Sequence, residues 1–384
     1  MRIYLDNAAT TPMREEVIEE MSRCMRELYG NPSSIHAEGR KVRAAIEEAR
    51  KKVANAIGAS IGEVFFTSGG TESNNMAIKC AVRDLGITRI ISSPTEHHNV
   101  LHPLEIVEKQ GVQVQMVEVD KWGRINYEHL EQLLRDNGGR KTMVSLMHAN
   151  NEIGTVSDMA RISQLCEQYG ALYHSDTVQT IAHFPIDVSK TKVHFISGGA
   201  HKFHGPKGVG FIYINSESMI KPFIDGGSQE RNMRGGTENV YGIIGMAKAL
   251  ELGIAEMESH REHIEGLRRY LIDELQKRYV DIQFNGDYAG DYLYTVLNVS
   301  FPPSKNSEML LLHLDIAGIS ASGGSACSSG ADAGSHVLKA LGANPERKAI
   351  RFSFSFMNTK ADIDFLLDKL DTLLEKRQAA PALG

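Results

Sequence analysis

The sequence predicts an α/β protein, with a large domain on a mostly parallel sheet and a smaller α+β domain. Three observations carry this reading. The chain has 384 residues, enough for one large and one smaller domain. Between residues 63 and 214, short apolar runs alternate with amphipathic helical stretches, the pattern of parallel strands joined by helical crossovers. After a glycine-rich stretch at 226–236 the alternation stops and a long helical pattern takes over.

The elements follow in order. Glu15–Leu28 and Ala37–Ile57 carry Ala, Glu, Lys and Arg with apolar residues at helical spacing, and read as helices. Strands are expected at EVFFT (63–67), TRIISS (88–93), VQVQMVEV (112–119), TMVSLMH (142–148), ALYHSD (171–176), VHFIS (193–197) and GVGFIYI (208–214), with helices at 72–84, 97–109, 126–136 and 157–169. Ile243, Met246, Leu250, Ile254, Met257, Ile264, Leu267, Leu271 and Leu275 recur mostly at three- and four-residue steps, which predicts one long helix or two joined helices. Beyond it, strands are expected at 281–284, 294–300 and 350–354, and helices at 306–314, 335–341 and 360–376. The expected division is a large domain of residues 13–261 and a small domain made of 1–12 and 262–384. The first dozen residues are expected near the active site, and the tail QAAPALG is expected to fray.

Composition narrows the function classes. A net charge of −6 argues against a nucleic-acid partner, which wants a basic footprint. No apolar run reaches the roughly 18 residues of a membrane span, and no charged leader precedes an apolar stretch. The four cysteines, Cys24, Cys80, Cys166 and Cys327, form no CxxC pair. The expectation is a reduced, cytoplasmic protein without membrane contact.

Five stretches carry candidate chemistry, each with a plainer alternative. In EVFFTSGGTESNN a strand leads through Gly69, Gly70 and Thr71 into a helix. That is a phosphate cup at a helix N-terminus, or a tight turn with Thr71 as a cap. In PTEHHNVLH, His97 could stack on an aromatic cofactor. His98 and His102 have the spacing of a zinc pair, but no general-base Glu stands between them, and no metal is expected. In HANNEIGT, Asn150 and Asn151 sit at a strand end, as site residues or as a turn. In ALYHSDTVQ, Asp176 ends a strand and Gln179 follows. A carboxylate there needs a cation or strong donors, unless it caps a helix. In ISGGAHKFHGPKG, Lys202 follows a strand, as a Schiff-base lysine or as part of a surface loop. What unites them is position. Each follows the C-terminal end of a different expected strand, the edge where open α/β sheets bind ligands. A phosphate cup, a flat imidazole, a carboxylate and a lysine converging there suit pyridoxal phosphate.

The motifs YLDNAATTP, GNPSSIHAEGR, FTSGGTESNN, TEHHNVL, NNEIG, HSDTVQ, AHKFHGPKG, RGGTEN, SGGSACSSG and SHVLKALG occur in one order along nearly the whole chain. In them the sequence resembles the cysteine desulfurases, pyridoxal-phosphate enzymes of the class V aminotransferase type. The resemblance implies the type I fold of pyridoxal-phosphate-dependent transferases and a set of roles. Lys202 would hold the cofactor. His97 would stack on its ring and shuttle protons, Asp176 would pair with the ring nitrogen, and Asn151 and Gln179 would contact the ring-oxygen side. Gly70, Thr71 and His201 would hold the phosphate, with Thr237 reaching in from the second subunit of a homodimer. Arg351, with Asn151, would bind the substrate carboxylate. Cys327 would take sulfur from L-cysteine as a persulfide, releasing L-alanine, and pass it to an iron–sulfur scaffold or a tRNA-thiolation protein.

Two departures from the family pattern stand out. Gly199 occupies a usual serine position near the phosphate, with Ser197 as a possible substitute, and Ser355 occupies a usual glycine position after Arg351. Residues 322–334, rich in Gly, Ser and Ala, are expected to be mobile and to carry Cys327 between the pocket and a partner protein. Selenocysteine lysis, transamination and a non-enzymatic adaptor are the competing readings.

Overall fold

Seven strands form the central sheet: β2 (Val64–Thr67), β3 (Arg89–Ser92), β4 (Gln113–Met116), β5 (Thr142–Ser145), β6 (Leu172–Asp176), β7 (Phe195–Gly199) and β8 (Gly210–Ile214). A short first strand, β1 (Ile3–Tyr4), lies outside it. In this computed structural model the described residues are 2–303, 305–324 and 334–374. The spatial order of the sheet is β2-β8-β7-β6-β5-β3-β4, and only β8 runs against its neighbours. The C-terminal ends of β2, β3, β5, β6 and β7 therefore share one edge.

The strands are buried because neighbouring residues serve opposite faces. Phe65, Ile90, Met143, Phe195 and Ile212 pack on one side with α3 (Gly70–Leu85) and α4 (His98–Lys109). Phe66, Ile91, Val144, Ile196 and Phe211 pack on the other with α1 (Glu15–Glu27), α2 (Ala37–Ala56), α5 (Tyr127–Arg135), α6 (Met159–Tyr169) and the helix Val240–Ala255. Apolar residues on both faces give continuous apolar runs rather than alternation. A third core joins Ile3 and Leu5 to the helices Met257–Arg278 and Lys360–Leu373 and to β9 (Gln283–Asn285), β10 (Val296–Phe301) and β12 (Lys348–Ser353). There β1 pairs in parallel with β11 (Ile319–Ser320), which ties the N-terminus to the chain just before residue 322.

The long helical pattern is two helices meeting at Glu256, one of the two expected forms. Two boundaries differ from expectation. The expected helix 306–314 breaks at Met309 into Lys305–Glu308 and Leu310–Ile316. The strand expected at 193–197 lies instead at Phe195–Gly199. Its two glycines belong to the sheet because β8 packs directly on them. A Cβ at Gly198 would lie 2.2 Å from a Phe211 ring carbon. Among the described residues no helix is long and apolar enough to cross a membrane.

Candidate active site

A cavity of about 220 Å³ opens at the shared strand edge, and Gly70, Thr71, His97, Asn151, Asp176, Gln179, His201, Lys202 and Arg351 all line it. β2, β3, β5, β6 and β7 each bring a residue to it. β2 turns through Gly69 into α3 and delivers Gly70 and Thr71. β3 delivers His97, the N-cap of α4, and β5 leads to Asn151. β6 ends on Asp176, and β7 runs into the turn holding His201 and Lys202. The first dozen residues are at the site as expected, since Ala8 and Ala9 line the same cavity.

Lys202 Nζ donates to the carbonyls of Ala8 (2.6 Å) and Ala9 (2.9 Å). The Gln179 amide also donates to Ala8, at 3.0 Å. Asp176 is buried, and its carboxylate accepts from Asn74 Nδ2 (2.7 Å), the Val178 amide (2.9 Å) and Ser197 Oγ (3.4 Å). These donors are all neutral. A buried carboxylate so held is suited to a cationic N–H such as a pyridinium. Ser197 is thus engaged with Asp176 and does not stand in for the missing phosphate serine at Gly199.

At the other end of the cavity the Gly70 amide begins α3, and early helical amides are natural anion donors. Gly70 must lack a side chain, because a Cβ there would lie 2.4 Å from Val178 Cγ2. Gly199 is different. A Cβ there would meet Gly70 N and Val178 Cγ1 at 3.6 Å and His201 Cδ2 at 3.8 Å, which is ordinary contact. The residues present therefore fit pyridoxal phosphate: donors for an anion at one end, a carboxylate for the ring nitrogen and a lysine beside it. Gly199→Ser should be accommodated and should place a hydroxyl beside the helix N-terminus. The expected result is about tenfold to a hundredfold tighter cofactor binding, the worth of one charge-assisted hydrogen bond, measured by titrating the apoenzyme. Weaker binding would contradict this placement.

Burial lowers the pKa of His97, against an opposing pull from Asp176. Its Nδ1 accepts the Asn99 amide at 3.1 Å, so the neutral ring carries its proton on Nε2. Burial brings His148, His174 and His183 down to about 4 from the ordinary 6.5. The unfolded chain binds protons that these native rings refuse. Stability should therefore fall as pH drops through 6.5 towards 4, read as a falling Tm in thermal melts. A Tm that holds or rises across that window would contradict the neutral assignments.

Arg351 is buried to 1 % exposure. Its Nη1 donates to the Asn151 carbonyl and its Nη2 to Asp6, each at 2.8 Å, while Nε is buried with no partner among the described residues. Ser355 fits its position because it does not adopt a positive φ. Thr237 is exposed and lies outside this cavity, with Ser68 and Gly236 on a separate recess. Cys327 and its neighbours 325–333 lie outside the described residues, and with them most of the stretch expected to be mobile. The first residue of that stretch, Ser322, is buried and hydrogen-bonded to Asp6 and to the Arg351 backbone. Burial pushes the thiol pKa up in all three described cysteines: Cys24, Cys80 (to about 11) and Cys166. None of these is a ready thiolate.

The sequence reading missed Asn74, Ala8, Ala9 and Asp6. Asn74 carried a signal, since it lies one helical turn after Thr71 in a stretch whose other polar residues serve the turn. The alanines carried none.

The sequence profile of the family described as aminotransferase class-V matches residues 3–366. A protein from Dictyoglomus turgidum named cysteine desulfurase IscS is 47 % identical over 97 % of this chain and 95 % of its own length. The Bacillus subtilis protein named putative cysteine desulfurase IscS 1 is 41 % identical over 94 % of this chain and 96 % of its own. Among solved structures, one titled NifS-like protein superposes with a TM-score of 0.89 at 37 % identity, covering 97 % of this chain and 99 % of its own. Another, a NifS-like protein from Rickettsia africae, gives 0.87 at 30 % identity, over 97 % of this chain and 99 % of its own.

Proposed function

The chain belongs to the class-V aminotransferase family and within it to the pyridoxal-phosphate-dependent cysteine desulfurases, and on that premise we propose how its residues divide the reaction. The observation that carries the proposal is the single cavity lined by Lys202, Asp176, His97 and Arg351.

The cofactor supplies the electron sink for bond cleavage at the substrate. Lys202 would hold the cofactor, and its amine is placed to move the proton on the substrate α-carbon. Asp176 would pair with the ring nitrogen, and Asn74 keeps Asp176 in place. His97 would stack on the ring and exchange protons through Nε2. Gly70, Thr71 and His201 would hold the phosphate, and Gln179 and Asn151 would contact the ring-oxygen side. Arg351, which lines the cavity, takes the substrate carboxylate on N–H groups that Asn151 and Asp6 leave free. Cys327, as thiolate, takes the sulfur atom and becomes a persulfide, while the substrate carbon gains a proton and leaves as L-alanine. The pushed-up thiols of Cys24, Cys80 and Cys166 support Cys327 as the acceptor. Purified enzyme given pyridoxal phosphate, L-cysteine and a thiol reductant should release L-alanine and sulfide in equal amounts. Conversion of L-cysteine to its sulfur-bearing α-keto acid, with neither alanine nor sulfide, would point to transamination instead.

The enzyme acts as a homodimer in which Thr237 reaches the partner's phosphate. Its exposure and its distance from its own cavity support this. Light scattering should report twice the chain mass, and a fully active monomer would contradict it. The sulfur passes to an iron–sulfur scaffold or a tRNA-thiolation protein in the cytoplasm, a reading that rests on membership of the cysteine desulfurases. Sulfur transfer to one such acceptor in a panel would identify it, and transfer to none would contradict this destination.

A further inference from the structure

Arg351 presents an unusual balance for a fully buried guanidinium. Two of its nitrogens are pinned, Nη1 by the Asn151 carbonyl and Nη2 by Asp6 Oδ1, and Nε has no partner among the described residues. A buried guanidinium needs a counter-charge close by, and Asp6 supplies it at 2.8 Å. Asp6 is itself held from several directions. Its Oδ1 accepts from Ser322 Oγ at 2.8 Å as well as from Arg351. Its backbone bridges to Ser353 on β12. Ser322 in turn pairs its backbone with that of Arg351, in both directions, at 2.7 and 3.3 Å. Asp6, Ser322 and Arg351 are thus one rigid unit, and Arg351 has a single orientation in the cavity.

We propose that Asp6 is a positioning residue that fixes the guanidinium plane of Arg351 for the substrate carboxylate, and that its charge moderates how tightly that carboxylate binds. The proposal rests on the reading of Arg351 as the carboxylate site. The bonds to Asn151 and Asp6 take one N–H from each Nη, which fixes the plane and leaves the other Nη protons for a ligand. A planar guanidinium binds a carboxylate well only along a chosen edge, so the pinning selects an α-carboxylate arriving from one direction. The Asp6 carboxylate also offsets part of the guanidinium charge, which keeps substrate and product from binding too tightly to leave.

Two substitutions separate these effects. Asp6→Asn keeps Oδ1 as acceptor for both Ser322 and Arg351 but removes the charge, whereas Asp6→Ala removes both. For Asp6→Asn the KM for L-cysteine should fall about threefold to tenfold, the scale of one partly screened charge. For Asp6→Ala it should rise about tenfold, with kcat within about twofold in both, because the change lies in ground-state binding. Calorimetric titration of each holoenzyme with L-alanine, which shares the carboxylate, should show the same opposite shifts without turnover. Thermal melts and the cofactor absorbance report whether each variant is folded and loaded, and the isosteric Asn variant carries the test if Ala fails to fold. Asp6→Asn with unchanged or weaker L-alanine binding overturns the proposal. Arg351→Lys serves as the reference. If it weakens L-alanine binding while both Asp6 variants leave it unchanged, the role of Asp6 alone is wrong. If Arg351→Lys has no effect, the carboxylate reading of Arg351 fails and the proposal fails with it.

Discussion

Replacing Lys202 with alanine is expected to lower L-alanine formation roughly a thousandfold or more, the scale of losing a positioned acid–base group, with loss of the covalent hold on the cofactor added to it. The expectation follows from where the amine sits. Lys202 Nζ lies within hydrogen-bond range of the Ala8 and Ala9 carbonyls at the wall of the cavity that Asp176, His97 and Arg351 also line. Among the described residues no other lysine lines that cavity, so none of them can take over. The fold should survive, because the two carbonyls left behind face a cavity that water can enter. The cofactor should still bind through the α3 N-terminus and Asp176, but its visible absorbance should lose the band of the lysine-linked form. The measurement is alanine release alongside the absorption spectrum of the loaded variant. Turnover within tenfold of the parent would mean that another group performs the lysine's task.

Substituting serine for Cys327 is expected to produce an equally large but different loss. Cofactor loading, the lysine-linked absorbance and L-cysteine binding should stay unchanged, since the described groups that line the cavity are kept. Sulfur removal should drop to background, because a hydroxyl is a far poorer nucleophile than a thiolate towards sulfur. The described cysteines offer no substitute. Cys24, Cys80 and Cys166 are buried, and burial has pushed their thiols up, Cys80 to about 11. Rapid mixing with L-cysteine should give the substrate-bound spectrum without alanine. Persistent sulfide release in Cys327→Ser would show that the enzyme does not need an internal sulfur carrier.

Much of this arrangement was legible in the sequence because it depends on local chain features. The apolar runs of β2, β3, β5, β6 and β7 mark buried strands, and the residues that follow each run must share an edge once the strands are parallel. That reasoning placed Thr71, His97, Asn151, Asp176 and Lys202 together, and the cavity contains them all. What could not be read were contacts between distant segments. Nothing in DNAATTP says that Ala8 and Ala9 will receive hydrogen bonds from a lysine nearly two hundred positions later. Nothing near Asp6 indicates that it will pair with Arg351 on β12. The register of β7 was also missed, because Gly198 and Gly199 read as a turn until Phe211 is seen to pack against them. The family resemblance supplied Arg351, Thr237 and Cys327, for which spacing alone gave no signal.

The central claim is that the cavity around Lys202 delivers the sulfur of L-cysteine to Cys327. Its most direct test is a mass measurement on the intact enzyme and its peptides after a single turnover without reductant. The account predicts one added sulfur atom per active chain, located on the peptide that contains Cys327, removable by a thiol reductant and matched by one L-alanine. Alanine formed with no sulfur on Cys327, or with the sulfur on Cys24, Cys80 or Cys166, would contradict it.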